Sequence, residues 1–85
     1  MFHGIWGYLK GVREGKQIDY PMSERPTAQT VREITLSVKV NDFVICPSRS
    51  EAARVARLLK LWDSDCITRS IMHNGKECVK VWRIR

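Results

Sequence analysis

The chain has 85 residues, enough for one domain and too few for two, and its 44% hydrophobic and 28% charged residues lie in the range of folded globular chains. No stretch of about 18 apolar residues is present to form a membrane-spanning helix, and Lys10 and Arg13 follow the short apolar start instead of preceding it as in a secretory leader. The formal charge of +6 attracts nucleic acid, an anionic membrane or an acidic protein surface without choosing among them; the expected partner is nucleic acid or an acidic protein surface, with no membrane and no small-molecule substrate.

Phe2 to Leu9 is aromatic and apolar, with Gly4 and Gly7 interrupting any helix. Lys10 to Gln17 is polar and glycine-punctuated, and Pro21, Ser23, Pro26 and Thr27 mark a loop. Residues 1–30 therefore read as an irregular N-terminal segment or arm, and 31–85 as the α+β domain. Ile34, Leu36, Val38 and Val40 alternate with Thr35, Ser37, Lys39 and Asn41, which predicts a half-buried strand. Asn41-Asp42 suits a tight turn or bulge. Phe43 to Cys46 is either a second strand paired with the first or its continuation.

Pro47-Ser48-Arg49-Ser50-Glu51 has the form of a capping box, in which Ser48 accepts from the Glu51 backbone and the Glu51 carboxylate reaches back to the Ser48 N–H. The predicted helix runs from Arg49 to about Trp62. Leu58, Trp62, Val55, Leu59, Ala52 and Ala56 fill one arc of roughly 160° on its surface, with Arg49, Arg54, Arg57 and Lys60 opposite. Asp63, Ser64 and Asp65 end it. Asn74-Gly75 predicts a type I′ turn joining two strands, Ile67 to His73 and Lys76 to Ile84. That turn sets His73 opposite Lys76, Ile71 opposite Cys78, Arg69 opposite Lys80 and Ile67 opposite Trp82. One face carries Cys66, Thr68, Ser70, Met72, Val79 and Val81; the other carries Ile67, Ile71, Trp82 and Ile84 with Arg69 and Lys80. The expected fold is α+β, of order β(β)αββ, with one amphipathic helix packed on an antiparallel sheet and a C-terminal β-hairpin.

The charge is unevenly distributed. Residues 1–33 hold five Lys/Arg against four Asp/Glu, whereas residues 34–85 hold ten against five. On the helix, no acidic residue follows Glu51 within the cationic stripe, although an outer face that serves only solubility usually mixes signs in i,i+4 pairs. On the hairpin, Arg69 and Lys80 face each other, a repulsive arrangement that a phosphate or carboxylate would relieve. Trp82 on that face could stack on a base or fill a partner pocket; it could equally lie under the N-terminal aromatics with Ile67 and Ile71 while Arg69 and Lys80 reach outward. Arg83 and Arg85 form a cationic end. The candidate binding residues are thus Arg49, Arg54, Arg57, Lys60, Arg69, Lys80, Trp82, Arg83 and Arg85.

Signs of catalysis are few. The sequence has no Ser/His/Asp set, glycine-rich phosphate loop or paired carboxylates, and no metal or other cofactor is expected. Cys46, Cys66 and Cys78 are odd in number and lack CxxC spacing, so they read as reduced thiols of a cytoplasmic protein. Cys46 precedes a helix N-terminus, where a thiolate would be stabilised, but its setting in Phe43-Val44-Ile45-Cys46 is that of a core residue. His73 at the turn is expected to be exposed and inert, and His3 a packing residue.

Tyr8-Leu9-Lys10-Gly11-Val12-Arg13-Glu14-Gly15 is faintly similar to the helix-end motif of LAGLIDADG homing endonucleases. The motif is shortened and lacks the metal-binding aspartate before its last glycine, so the resemblance would imply an inactive relative and falls short of assigning the family. The leading expectation is a small non-enzymatic nucleic-acid-binding or regulatory protein. The alternative is a phage-type inhibitor or adaptor whose basic face occupies a protein complex, such as a CRISPR or other nucleic-acid-handling machine. A structural subunit with an N-terminal arm ordered on a neighbour is a third.

Overall fold

A computed structural model describes residues 14–85. The elements are β1 (Gln17–Ile18), α1 (Ala28–Leu36), β2 (Phe43–Cys46), α2 (Arg49–Leu61), β3 (Cys66–His73) and β4 (Lys76–Arg83). The four strands form one mixed sheet in the order β1-β2-β4-β3, with β1 parallel to β2 and the other neighbours antiparallel. The α+β class and the C-terminal hairpin are as expected. The first half of the domain differs.

The strand expected over Ile34–Val40 is instead the end of α1 and the turn after it. Thr27, extended and preceded by Pro26, caps α1: its side-chain oxygen accepts from the Thr30 N–H at 3.2 Å. Behind that cap, Val31, Ile34, Thr35 and Val38 repeat at the i, i+3, i+4, i+7 spacing of a helix face. Val31, Thr35 and Val38 are buried, while Leu36 and Val40, which completed the alternation, are exposed. Buried Thr35 satisfies its hydroxyl on the Val31 carbonyl at 2.7 Å. Among the described residues there are therefore two helices, not one, and Phe43–Cys46 pairs with β1 and β4 because no strand precedes it at residues 34–40. Residues 14–30, expected within the irregular arm, contribute β1, the buried Tyr20 and the first turn of α1. The apolar stretch Phe2–Leu9, His3 and most of the LAGLIDADG-like segment lie outside the described residues.

The turn from α1 to β2 is held from several sides. Asn41 takes a positive φ of 78°, and buried Asp42 accepts from the backbone of Lys16 at 3.0 Å and of Lys39 at 3.1 Å. Gly15 donates to the Asn41 carbonyl at 2.6 Å, an approach so close that a Cβ at Gly15 would collide with the Asp42 carboxylate.

Helix α2 begins and ends by side-chain and backbone capping. Ser48 accepts from the Glu51 N–H at 3.3 Å, as the capping box predicts, but the Glu51 carboxylate binds Tyr20 and Arg54 and not the Ser48 backbone. At the other end, Ser64 donates to Leu59 O at 2.8 Å and Asp63 to Lys60 O at 3.1 Å, with Asp63 left-handed at φ 59°. This is a Schellman closure with an aspartate where glycine is usual. Asn74 and Gly75 (φ 53° and 78°) make the expected type I′ turn, and every predicted pair across the hairpin is present.

On one face of the sheet Val44, Cys46, Val79 and Val81 pack under Ala52, Val55 and Leu59 of α2, joined by Tyr20, Val31 and Val38. Each fully buried valine or leucine contributes about 2 kcal/mol relative to exposure. Thr68, Ser70 and Met72 stay exposed although they share this face, because β3 is the edge strand and an open groove separates it from α2. On the opposite face Ile45, Cys78 and Trp82 are buried.

The topology also orients the helices. β1 and β2 are parallel, so the crossover through α1 runs antiparallel to them. β3 lies parallel to β2, two strands away, so α2 returns in the same sense. The helices thus run side by side with their C-termini at the same end.

Candidate functional site

Two grooves flank α2. One lies between α1 and α2 and is lined by Ala28, Gln29, Val31, Arg32, Arg54, Arg57 and Leu58. The other lies between α2 and the edge strand, where Arg49, Ala53, Ala56, Thr68, Arg69 and Ser70 contribute to the walls. Helical spacing explains the division. Arg49, Ala53, Ala56 and Lys60 follow one another at i, i+4, i+7 and i+11 along the β3 side, Arg54 and Leu58 face α1, and Arg57 lies on the crest between them. The alanines make the β3-side groove: larger side chains there would fill it.

The candidate cations separate into two groups. Arg49, Arg57 and Lys60 are exposed on one rigid helix, and none makes an ion pair or side-chain hydrogen bond with a described residue. Arg54 behaves differently. Its guanidinium lies 2.8 Å from the Glu51 carboxylate, which is buried, also receives the Tyr20 hydroxyl at 2.6 Å, and has Arg25 at 3.4 Å. The Tyr20 hydrogen bond, with Arg54 and Arg25 beside it, holds the Glu51 carboxyl below its ordinary range despite burial. Burial and the bond to Glu51 push the Tyr20 hydroxyl well up, so it stays a donor.

Arg69 and Lys80 are directly opposed, as the turn register predicts. The expectation that an external acceptor relieves them needs correction, because Lys80 pairs with Glu14 at 2.7 Å and lies 4.2 Å from the centre of the Phe43 ring. The chain itself supplies the counter-charge. Trp82 is also corrected as a stacking or anchoring residue: it is 1% exposed and its indole N–H donates to the Asn41 carbonyl at 2.8 Å. The face of the sheet opposite the helices thus uses Trp82 to hold the α1–β2 turn.

Arg83 and Arg85 are not a loose cationic tail. Arg83 donates to Val38 O at 2.8 Å and to Arg85 O at 3.0 Å, and Arg85 pairs with Asp65 at 2.9 Å. Ile84 N–H to Asp65 O at 2.9 Å extends the hairpin ladder to the end of the chain. His73 is half-buried at the turn, where exposure was expected. Arg32 was missed from sequence because its segment was read as the approach to a strand; the Thr27 cap with the Val31–Ile34–Thr35–Val38 spacing would have placed it on α1 facing α2.

Cys46 is fully buried and its thiol is pushed up to about 12 by burial, with the Glu51 charge adding to the effect, so the helix N-terminus does not make it a thiolate. Burial also raises the Cys66 thiol, with the Lys60 charge pulling the other way, which places Lys60 beside the start of β3. Among the described residues no group of three or more His, Cys, Asp or Glu side chains could hold a metal ion, and no helix is long and apolar enough to cross a membrane. The chain matches no protein-family model, no curated protein and no solved structure.

Proposed function

We propose that this chain is a small, basic, non-enzymatic nucleic-acid-binding or regulatory protein whose phosphate-contacting surface is the outer face of α2 and the adjoining β3 groove. The observation that carries this reading is the set Arg49, Arg57 and Lys60, exposed on one helix with no carboxylate of the described residues in ion-pair range. Cations held on a rigid helix lose little entropy when they meet a phosphodiester backbone, and each phosphate they neutralise releases counterions. Thr68, Arg69 and Ser70 offer further polar contacts across a floor of Ala53 and Ala56 that lets a backbone approach closely. Contacts of this kind position a nucleic acid without reading its sequence. The free thiols Cys46, Cys66 and Cys78 suit a reducing, cytoplasmic setting.

Fluorescence anisotropy with single-stranded and duplex oligonucleotides at about 20 mM salt tests the reading, since electrostatic binding is strongest there. The wild type should bind, and Arg49→Gln/Arg57→Gln/Lys60→Gln should lose at least about tenfold in affinity. A folded wild-type protein with no affinity for either oligonucleotide ends the proposal.

A further inference from the structure

The groove between α1 and α2 has a chemistry that phosphate contacts do not use. Its floor is Val31 and Leu58, and Arg32 and Arg57 border it with no ion pair to a described residue. Leu36 lies four residues beyond Arg32 and Leu61 four beyond Arg57, so each lies one helical turn further along the same side. The helices run in the same sense, which brings both leucines to the same end. They are 64% and 73% exposed, among the most exposed large apolar side chains of the described residues. The arginine-bordered groove is therefore continued, about one turn (~5–6 Å) beyond Arg32 and Arg57, by two exposed leucines that lie outside its lining.

We propose that this groove docks an acidic amphipathic helix of a partner protein. A helix laid parallel to α1 and α2 repeats the same turn spacing, so a carboxylate at position i and a large apolar side chain at i+4 would meet Arg32/Arg57 and Leu36/Leu61 together. Charge complementarity selects the acidic partner, and the two exposed leucines select a protein helix over a phosphodiester backbone, which has no apolar group to cover them. The docking site shares Arg57 with the proposed phosphate-contacting face, but Arg49 and Lys60 lie on the other flank of α2.

The test is a titration of the isotope-labelled full chain, followed by amide chemical shifts, with a synthetic helical peptide carrying two Glu-x-x-x-Leu pairs on one face. Shift changes at Gln29, Arg32, Leu36, Arg57 and Leu61, saturating below about 1 mM peptide, are expected. Leu36→Asp/Leu61→Asp should abolish them, and because both side chains are exposed the variant should fold as the wild type does, which its own spectrum checks. Charge reversal to Lys-x-x-x-Leu should abolish binding as well. Absence of shifts up to about 1 mM, equal binding of the Lys peptide, or shifts confined to β3 would overturn the proposal. So would concentration-dependent shifts without peptide, which assign the groove to a second copy, or displacement of the peptide by an oligonucleotide bound in the same groove. Arg49→Gln/Lys60→Gln should leave peptide binding unchanged, so this inference and the nucleic-acid reading fail separately.

Discussion

Arg54 and Arg57 are three positions apart on one helix and do opposite things. Arg54 turns towards the buried Glu51 carboxylate, where Tyr20 and Arg25 converge, and ties α2 to the segment before α1. Arg57, with Arg49 and Lys60, faces water with no acidic residue of the described chain in range. A buried carboxylate with two hydrogen-bond donors and a further ion pair has a fixed set of partners, and removing it leaves the buried donors unmatched. Exposed cations add almost nothing to stability and are available to a ligand. The same residue type on one helix thus serves the fold where it reaches Glu51 and stays exposed where it does not, available to the proposed ligand, and the position of a single acid decides which.

The largest effect should come from breaking the first region. Glu51→Ala is expected to destabilise the fold by about 3 kcal/mol in chemical denaturation, because Tyr20 and Arg54 lose their acceptor in a buried setting. The complementary variant, Arg49→Gln/Arg57→Gln/Lys60→Gln, should change stability by less than about 1 kcal/mol in the same assay while weakening oligonucleotide binding. A large loss of stability from that variant would erase the distinction between the two regions.

The difference also has a pH signature. Glu51 is held below its ordinary value of 4.5 in the folded state, so the unfolded chain binds more protons in the acid range. The stabilisation is complete above 4.5 and is lost as pH falls through the folded value. Denaturation midpoints measured across that window should fall on acidification in the wild type and change less in Glu51→Gln. The smallest effect concerns Asp63, which closes α2 at φ 59° beside the cationic face. Asp63→Gly should stabilise the protein by about 1 kcal/mol by removing left-handed strain, and should tighten oligonucleotide binding slightly by removing a negative charge.

How much of this could be read beforehand depended on whether local chemistry settled the conformation. Asn74-Gly75 requires positive φ at both positions, so the turn, the register and the Arg69–Lys80 apposition followed without tertiary information. Ser48 and the apolar arc of α2 were legible for the same reason. Residues 31–40 satisfied two periods at once: alternation from Ile34 to Val40, and helical spacing through Val31, Ile34, Thr35 and Val38. Thr27 could have decided between them, as could the polar Thr35, which is buried in a helix because its hydroxyl bonds one turn back. The cation inventory of the site was legible, but its division was not. Glu51 looked like half of a capping box, and only the arrival of Tyr20 from 31 residues away shows where its charge goes. Likewise Trp82 and Lys80 sit where the register put them, while Asn41, Phe43 and Glu14, which occupy them, come from distant parts of the chain.

The central proposal is that the outer face of α2 presents to a phosphodiester backbone the cations that do not pair with Glu51. Its most direct test is the slope of log affinity against log salt for an oligonucleotide, measured between about 20 and 200 mM for the wild type, Glu51→Gln and Arg49→Gln/Arg57→Gln/Lys60→Gln. The account predicts a slope of about −2 to −3 for the wild type, the same slope for Glu51→Gln under conditions where it is folded, and a slope near zero for the triple variant. A triple variant with the wild-type slope, or a wild type with no measurable affinity at the lowest salt, would contradict it.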